Sequence, residues 1–308
     1  MRVGRGMTET VGNTPIVKLG SVVPEGAADV WVKLEWFNPT GSYKDRMALA
    51  MVEEAERRGD LRLGMTVVEY TGGSTGSSLA FVCAAKGYPF RVVSHDAVAV
   101  EKLRTMEALG GDLILVESIG GKVTPDLTQR MIDRAEQVAK EQPSYWTNQL
   151  NNPDSLVGYR GVGEELLEQL GTIDAFCASV GTSGLSMGVA SALRDGGADT
   201  RVVILEPAES AVLSGGPPGA HGIEGMGIGF RPPLLDDGLH DEVRAVAEAD
   251  ARAMARRLAA EEGLLAGVSS GLNVAAAIEL AVELGEGHTV ATVACDTGLK
   301  YLAGDLFD

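Results

Sequence analysis

The sequence predicts an α/β protein of two doubly wound domains with mostly parallel sheets. Three observations carry this reading. Apolar, β-rich runs alternate with amphipathic helical segments along most of the chain. The strand runs are almost continuously apolar, as strands covered on both faces are. The length of 308 residues allows two medium domains, each with a real core. The βα units fall into two sets, and ligands of such folds bind outside the carboxyl ends of the strands, in a cleft.

In the first set, Thr66–Thr71 reads as a strand followed by a helix over 75–86. Phe90–Ser94 is the next strand, with a helix over Val98–Leu109. Asp112–Val116 is a strand and Pro125–Lys140 a helix, in which Leu127, Met131, Ala135 and Val138 share one face at helical spacing. Ser144–Thr147 closes the set. The second set runs through a helix at Ser155–Leu170, strand Ala175–Val180, a helix from Gly184, and strand Arg201–Leu205. Helices follow at Ala251–Ala260 and Gly271–Leu284, then strand Thr289–Ala294. Ala251, Met254, Ala255, Leu258 and Ala259 line one helical face. Pro207–Pro233 is Gly- and Pro-rich and irregular. It reads either as a surface loop or as a long loop bordering the active site.

Composition excludes several classes. With 26 Lys+Arg against 43 Asp+Glu, the net charge is −17, which disfavours nucleic acid and anionic lipid. Cys83, Cys177 and Cys295 are odd in number and have no C-x-x-C spacing, so a disulfide framework and a structural zinc site are not expected. His95, His221, His240 and His288 are too scattered for a metal cluster, and no metal is expected. No apolar run approaches the roughly 18 residues of a membrane span, and the amino terminus has no signal layout. A cytoplasmic protein is expected.

Four polar segments could carry chemistry. Asn38-Pro39-Thr40-Gly41-Ser42-Tyr43-Lys44-Asp45-Arg46 sets one lysine in a turn-rich approach to an apolar helix, which Ser42 could cap. A lysine at such a corner can be desolvated and made nucleophilic, although taken alone Lys44 reads as an ordinary surface lysine. Thr71-Gly72-Gly73-Ser74-Thr75-Gly76 follows an apolar strand and opens a helix, an arrangement that binds a carboxylate or phosphate. Gly181-Thr182-Ser183-Gly184-Leu185 repeats the logic with no basic residue, so backbone N–H groups, hydroxyls and the helix dipole would hold an anion. Cys295-Asp296-Thr297-Gly298 ends a strand, where polar residues face a ligand crevice or cap a helix. A lysine corner, two anion cradles and a polar strand end meet the needs of pyridoxal phosphate.

On these residues the chain resembles the cysteine synthase/cystathionine β-synthase family of pyridoxal-phosphate enzymes, with the tryptophan-synthase-β-like fold. The resemblance runs from Gly12-Asn13-Thr14-Pro15 to Thr297-Gly298-Leu299-Lys300-Tyr301-Leu302. It includes Gln149-Leu150-Asn151-Asn152-Pro153, Glu206-Pro207, residues 222–232 and residues 261–271. It implies a smaller domain over 36–150 and a larger one over 1–35 plus 151–308, with pyridoxal 5′-phosphate in the cleft between them. It makes Lys44 the cofactor lysine and catalytic base. It assigns Thr71, Gly72, Gly73, Ser74, Thr75 and Gln149 to the substrate. Ser74, Gly181, Thr182, Ser183, Gly184, Leu185 and Thr297 fall to the cofactor, with Thr297 at the pyridine nitrogen and Asp296 its rival.

The implied reaction is β-replacement on O-acetylserine, O-phosphoserine or serine by sulfide or a thiol, through an aminoacrylate intermediate, in an amino-acid biosynthetic homodimer. The alternatives are a β-eliminating lyase of the serine/threonine dehydratase type and a cofactor-binding protein with little turnover. Three positions depart from the family pattern. Ser74 stands where Asn is usual, Leu185 where Thr is usual (Ser183 or Ser186 could replace that hydroxyl), and Leu150 where an aromatic residue is usual.

Overall fold

A computed structural model describes residues 4–119 and 125–308. In chain order the elements are β1 (Ile16–Lys18), β2 (Asp29–Leu34), α1 (Lys44–Arg58), β3 (Thr66–Tyr70), α2 (Ser74–Lys86), β4 (Phe90–His95), α3 (Val100–Ala108), β5 (Gly111–Val116), α4 (Pro125–Glu141), β6 (Ser144–Trp146) and α5 (Asp154–Leu170). They continue with β7 (Ala175–Ser179), α6 (Gly184–Asp195), β8 (Arg201–Pro207), β9 (Glu242–Val246), α7 (Glu248–Glu262), α8 (Val268–Leu284) and β10 (Thr289–Ala294). The chain divides into two compact units, Met1–Val11 with Lys44–Ser155, and Gly12–Tyr43 with Leu156–Asp308. The division therefore runs through the lysine segment, with Tyr43 in one unit and Lys44 opening the other.

The first unit holds a four-stranded sheet in the order β5-β4-β3-β6, parallel throughout. Val68, Tyr70 and Val93 on one face pack against Leu127, Met131, Ala135 and Val138 of α4, the stripe that helical periodicity marks in the sequence. Bidentate hydrogen bonds from Arg58 to Asp154, at 2.9 and 2.6 Å, fasten the end of α1 to the start of α5.

The second unit holds a six-stranded sheet in the order β1-β2-β10-β7-β8-β9. Only β1 runs antiparallel to its neighbour among the described pairs. Val30, Val32, Cys177, Val203 and Val290 are buried with Ala251, Ala255 and Leu258 of α7 and Leu272, Ala276 and Leu280 of α8. The sequence reading assigned no strand to β1, β2 or β9. In β2 the apolar pattern is broken by Lys33, which is fully buried. Its ammonium donates to the Thr14 carbonyl at 2.7 Å and Gln169 Oε1 at 2.9 Å, and pairs with Glu165 at 2.6 Å. A buried charge survives only when so satisfied. In β9, Arg244 is exposed enough to pair with Glu242 and Glu283, so the segment reads as charged surface.

Among the described residues no helix is long and apolar enough to cross a membrane.

Candidate active site

The lysine segment is built on Asn38. Its Oδ1 accepts from the Gly12 N–H at 2.8 Å, and its Nδ2 donates to the Glu35 carbonyl and carboxylate at 2.7 and 2.9 Å. The Gly41 N–H returns to the Asn38 carbonyl at 2.8 Å, closing a turn. The segment then lies along the end of β10. The Thr297 N–H donates to the Gly41 carbonyl at 3.1 Å and the Tyr43 N–H to the Cys295 carbonyl at 3.0 Å, with a bridge between Ser42 and Asp296. Gly41 has φ +71, and a Cβ there would stand 2.8 Å from the Thr297 methyl. Glycine is required on both counts. Helix α1 begins at Lys44, two residues after Ser42, whose backbone forms the bridge to Asp296. Lys44 is 7% exposed.

The two rivals at the end of β10 differ in their commitments. Asp296 is buried, and its Oδ2 accepts from the Tyr301 hydroxyl at 2.8 Å. Burial first, and then the Asp296 charge, push the Tyr301 phenol well above its ordinary value, so it stays a donor to that carboxylate. Thr297 turns its methyl to the lysine segment, and its hydroxyl oxygen accepts only a long bond from the Leu299 N–H, 3.3 Å.

In the other unit, Thr71–Thr75 leaves the carboxyl end of β3 and opens α2. The Thr71 N–H donates to the Val93 carbonyl at 2.9 Å, and the Thr71 hydroxyl oxygen accepts from the Gly73 N–H at 3.1 Å. Gly73 precedes the helix and lends it no side-chain cap, which leaves first-turn N–H groups for an anion. Gln149 follows β6, which is parallel and adjacent to β3, so the loop and the glutamine sit at neighbouring strand ends. Gln149 is buried. Its Oε1 accepts from the Thr75 hydroxyl at 2.7 Å and its Nε2 donates to the Tyr70 carbonyl at 3.1 Å. Ser74 is half-buried at the first position of α2. His95, at the end of β4, closes the floor of the loop, since a Cβ on Gly72 would stand 2.8 Å from its Nε2.

Beneath this loop lies Glu69, fully buried on β3. Burial pushes its carboxyl up from an ordinary 4.5 to about 7, against the opposing effect of hydrogen bonds from Thr147, Gln149 and Tyr70. The folded protein thus holds this proton more tightly than the unfolded chain. The stabilisation is full below about pH 4.5 and is lost as pH rises to about 7. Its ceiling is on the order of 3 kcal/mol. We expect Glu69→Gln to flatten the fall in unfolding free energy between those pH values, measured by denaturant titration at each pH. An unchanged slope would refute the assignment.

Gly181–Leu185 leaves the carboxyl end of β7 and opens α6. Ser183 takes the left-handed conformation, φ +65, ahead of the helix, and its hydroxyl donates to the Thr182 carbonyl at 2.6 Å. The Gly227 N–H donates to the Val180 carbonyl at 3.0 Å, and a Cβ on Gly181 would overlap the Gly225 carbonyl oxygen. The Gly225–Gly227 part of the Pro207–Pro233 loop therefore packs against this turn. Leu185 is buried. The Ser186 hydroxyl is directed back at the Ala178 and Ser179 carbonyls, at 3.4 and 3.5 Å. β7 and β10 are parallel neighbours, so the Gly181–Leu185 turn and Thr297 also share one end of a sheet.

These features fit a phosphate-bearing ring. The first turn of α6 offers N–H groups, no carboxylate stands in Gly181–Leu185, and Gly181 lets the Gly225 backbone pack directly against the turn. Among the described residues no group of three or more His, Cys, Asp or Glu could hold a metal ion. Sequence reasoning missed Glu69, His95 and the Gly225–Gly227 contact. Glu69 alone left a signal, a charge inside the apolar run Val67-Val68-Glu69-Tyr70.

A family model described as "Pyridoxal-phosphate dependent enzyme" matches residues 7–296. A cysteine synthase of Staphylococcus aureus (strain Mu50 / ATCC 700699) is 43% identical over 304 residues, covering 98% of this chain and 96% of that one. The crystal structure of an O-ureido-L-serine synthase matches with a TM-score of 0.92 at 38% identity, over 100% of this chain and 96% of the other. O-acetyl serine sulfhydrylase isoform 3 from Entamoeba histolytica matches with a TM-score of 0.92 at 34% identity, over 99% and 92%.

Proposed function

The chain belongs to the pyridoxal-phosphate-dependent enzymes, with pyridoxal 5′-phosphate as cofactor, and from that premise we propose that it performs β-replacement on a serine-type donor with sulfide or a thiol. The observation that carries the proposal is the full-length likeness to a cysteine synthase, joined to two anion cradles at strand ends, one in each unit. Lys44 would hold the cofactor, the first turn of α6 with Gly181–Leu185 its phosphate, and Thr297 its ring nitrogen, with Ser74 beside the ring. Asp296 Oδ2 is held by Tyr301 while its Oδ1 is buried without a hydrogen-bond partner among the described residues, so the preference for Thr297 rests on its place in the motif. When bound, the cofactor supplies an electron sink for negative charge at the substrate's α-carbon.

The chain's own groups do the rest. Thr71–Thr75 bind the donor's carboxylate through N–H groups and hydroxyls, and Gln149, its amide fixed by Thr75 and Tyr70, orients it. The Lys44 Nζ takes the α-proton as general base. The Thr297 hydroxyl would serve the ring nitrogen as a neutral hydrogen-bond partner. Assembly as a homodimer in the cytoplasm completes the proposal, and the three free, buried cysteines support a reducing compartment.

The test is a matrix of O-acetylserine, O-phosphoserine and serine against sulfide and small thiols, read by mass spectrometry with pyruvate measured in parallel. The expected result is a β-substituted alanine that depends on both partners. Equal pyruvate with and without nucleophile would instead mean a β-eliminating lyase and overturn the proposal.

A further inference from the structure

The Glu69 carboxylate gathers three donors from two directions. Its Oε1 accepts from the Tyr70 N–H at 2.9 Å on its own strand. Its Oε2 accepts from the Thr147 hydroxyl at 2.7 Å and from the Gln149 N–H at 2.9 Å. Thr147 and Gln149 flank Asn148, which has φ +45, a left-handed conformation that asparagine tolerates better than most residues but that still stores strain. A segment held in that conformation needs an anchor on each side, and one carboxylate provides both. From Gln149 the chain of contacts continues outward, Oε1 to the Thr75 hydroxyl and Nε2 to the Tyr70 carbonyl. The carboxylate is fully buried, so its place in the sheet costs desolvation that an apolar residue would not incur.

We propose that Glu69 is a positioning residue for the donor amino acid, clamping Thr147 and Gln149 so that the Gln149 amide stays fixed beside the Thr71–Thr75 loop. This rests on the reading above, in which that loop and Gln149 take the substrate. Glu69 touches neither substrate nor cofactor and acts through Gln149. An amide in its place presents one acceptor oxygen and an NH2 group that opposes a donor, so at least one anchor of the strained turn is lost.

The experiment uses the cofactor-loaded enzyme and four forms: wild type, Glu69→Gln, Gln149→Ala and the double variant. Donor KM and kcat are measured, and the dissociation constant of unreactive L-alanine is read from the change in cofactor absorbance, which needs no turnover. Glu69→Gln should retain the visible cofactor band, raise donor KM and the alanine dissociation constant about tenfold, and change kcat by less than about threefold. The double variant should bind alanine no worse than Gln149→Ala, because both changes break one chain of contacts. Glu69→Asp, which keeps the charge, should recover part of the loss.

Wild-type alanine binding in Glu69→Gln, or effects that multiply in the double variant, would overturn the inference. If Glu69→Gln does not fold, Thr147→Val removes one of the same donors and is judged by the same criteria. A Gln149→Ala enzyme that binds alanine normally would refute the substrate assignment itself, so the two failures are distinguishable.

Discussion

Replacing Lys44 with alanine should abolish the visible band of the bound cofactor and lower β-replacement by at least about 10³-fold, because one side chain both holds the cofactor and moves the α-proton. The prediction is specific to this lysine. Among the described residues three lysines are deeply buried, Lys33, Lys44 and Lys102. Lys33 is committed to Thr14, Gln169 and Glu165. An ammonium with three acceptors has no lone pair to offer. Lys102 is the serious rival. It lies on α3 with its Nζ 3.6 Å from where a Gly73 Cβ would stand, beside the loop given to the substrate. Lys44 differs in following a turn that is hydrogen-bonded to the end of β10 at Gly41 and Tyr43. The turn before it is thus fixed by the strand that also presents Thr297. Borohydride reduction of the loaded enzyme followed by peptide mapping should place the label on Lys44. A label on Lys102, or a Lys44→Ala protein that keeps its band, would sink the assignment.

Those contacts explain why the chemistry was more legible than the scaffold around it. Glycine and hydroxyl residues after apolar strands mark strand-end cradles without any knowledge of pairing, and the α4 stripe can be read from periodicity alone. Lys33 shows where such reading stops. It occupies a fully buried strand position, and the three acceptors that permit this are distant in sequence. Glu69 fails for the same reason, since two of its donors lie 78 and 80 residues away. Ser186 is the converse. Its hydroxyl stands in the right local pattern for an anion contact and is directed instead at the carbonyls of β7. Local pattern records what a side chain can do, while tertiary neighbours decide which option it takes.

Gly181→Ala should disrupt the phosphate cradle. The added Cβ would overlap the Gly225 carbonyl oxygen and come within 3.2 Å of the Gly225 carbonyl carbon and 3.5 Å of Met226 Cα. All three are backbone atoms, so no rotamer change relieves the clash and the Gly225–Gly227 loop must lift from the turn. Overpacking of this kind costs roughly 1–3 kcal/mol. The lifted loop also loses its bond from the Gly227 N–H to the Val180 carbonyl, which fixes the residue just before the cradle. We expect the cofactor's dissociation constant to rise tenfold or more, about 1.4 kcal/mol, by titration of the apoenzyme followed in the visible band.

Gly225→Ala is the control on the other side of the same contact. Its φ is +83 and nothing lies within 4 Å of its would-be Cβ, so it pays only the backbone cost of roughly 1–2 kcal/mol and pushes nothing into Gly181. It should lower thermal stability while leaving cofactor affinity within about threefold of wild type. If the two variants lose cofactor equally, strain in the loop rather than the shape of the cradle governs binding. If Gly181→Ala binds normally, the phosphate is held somewhere other than the first turn of α6.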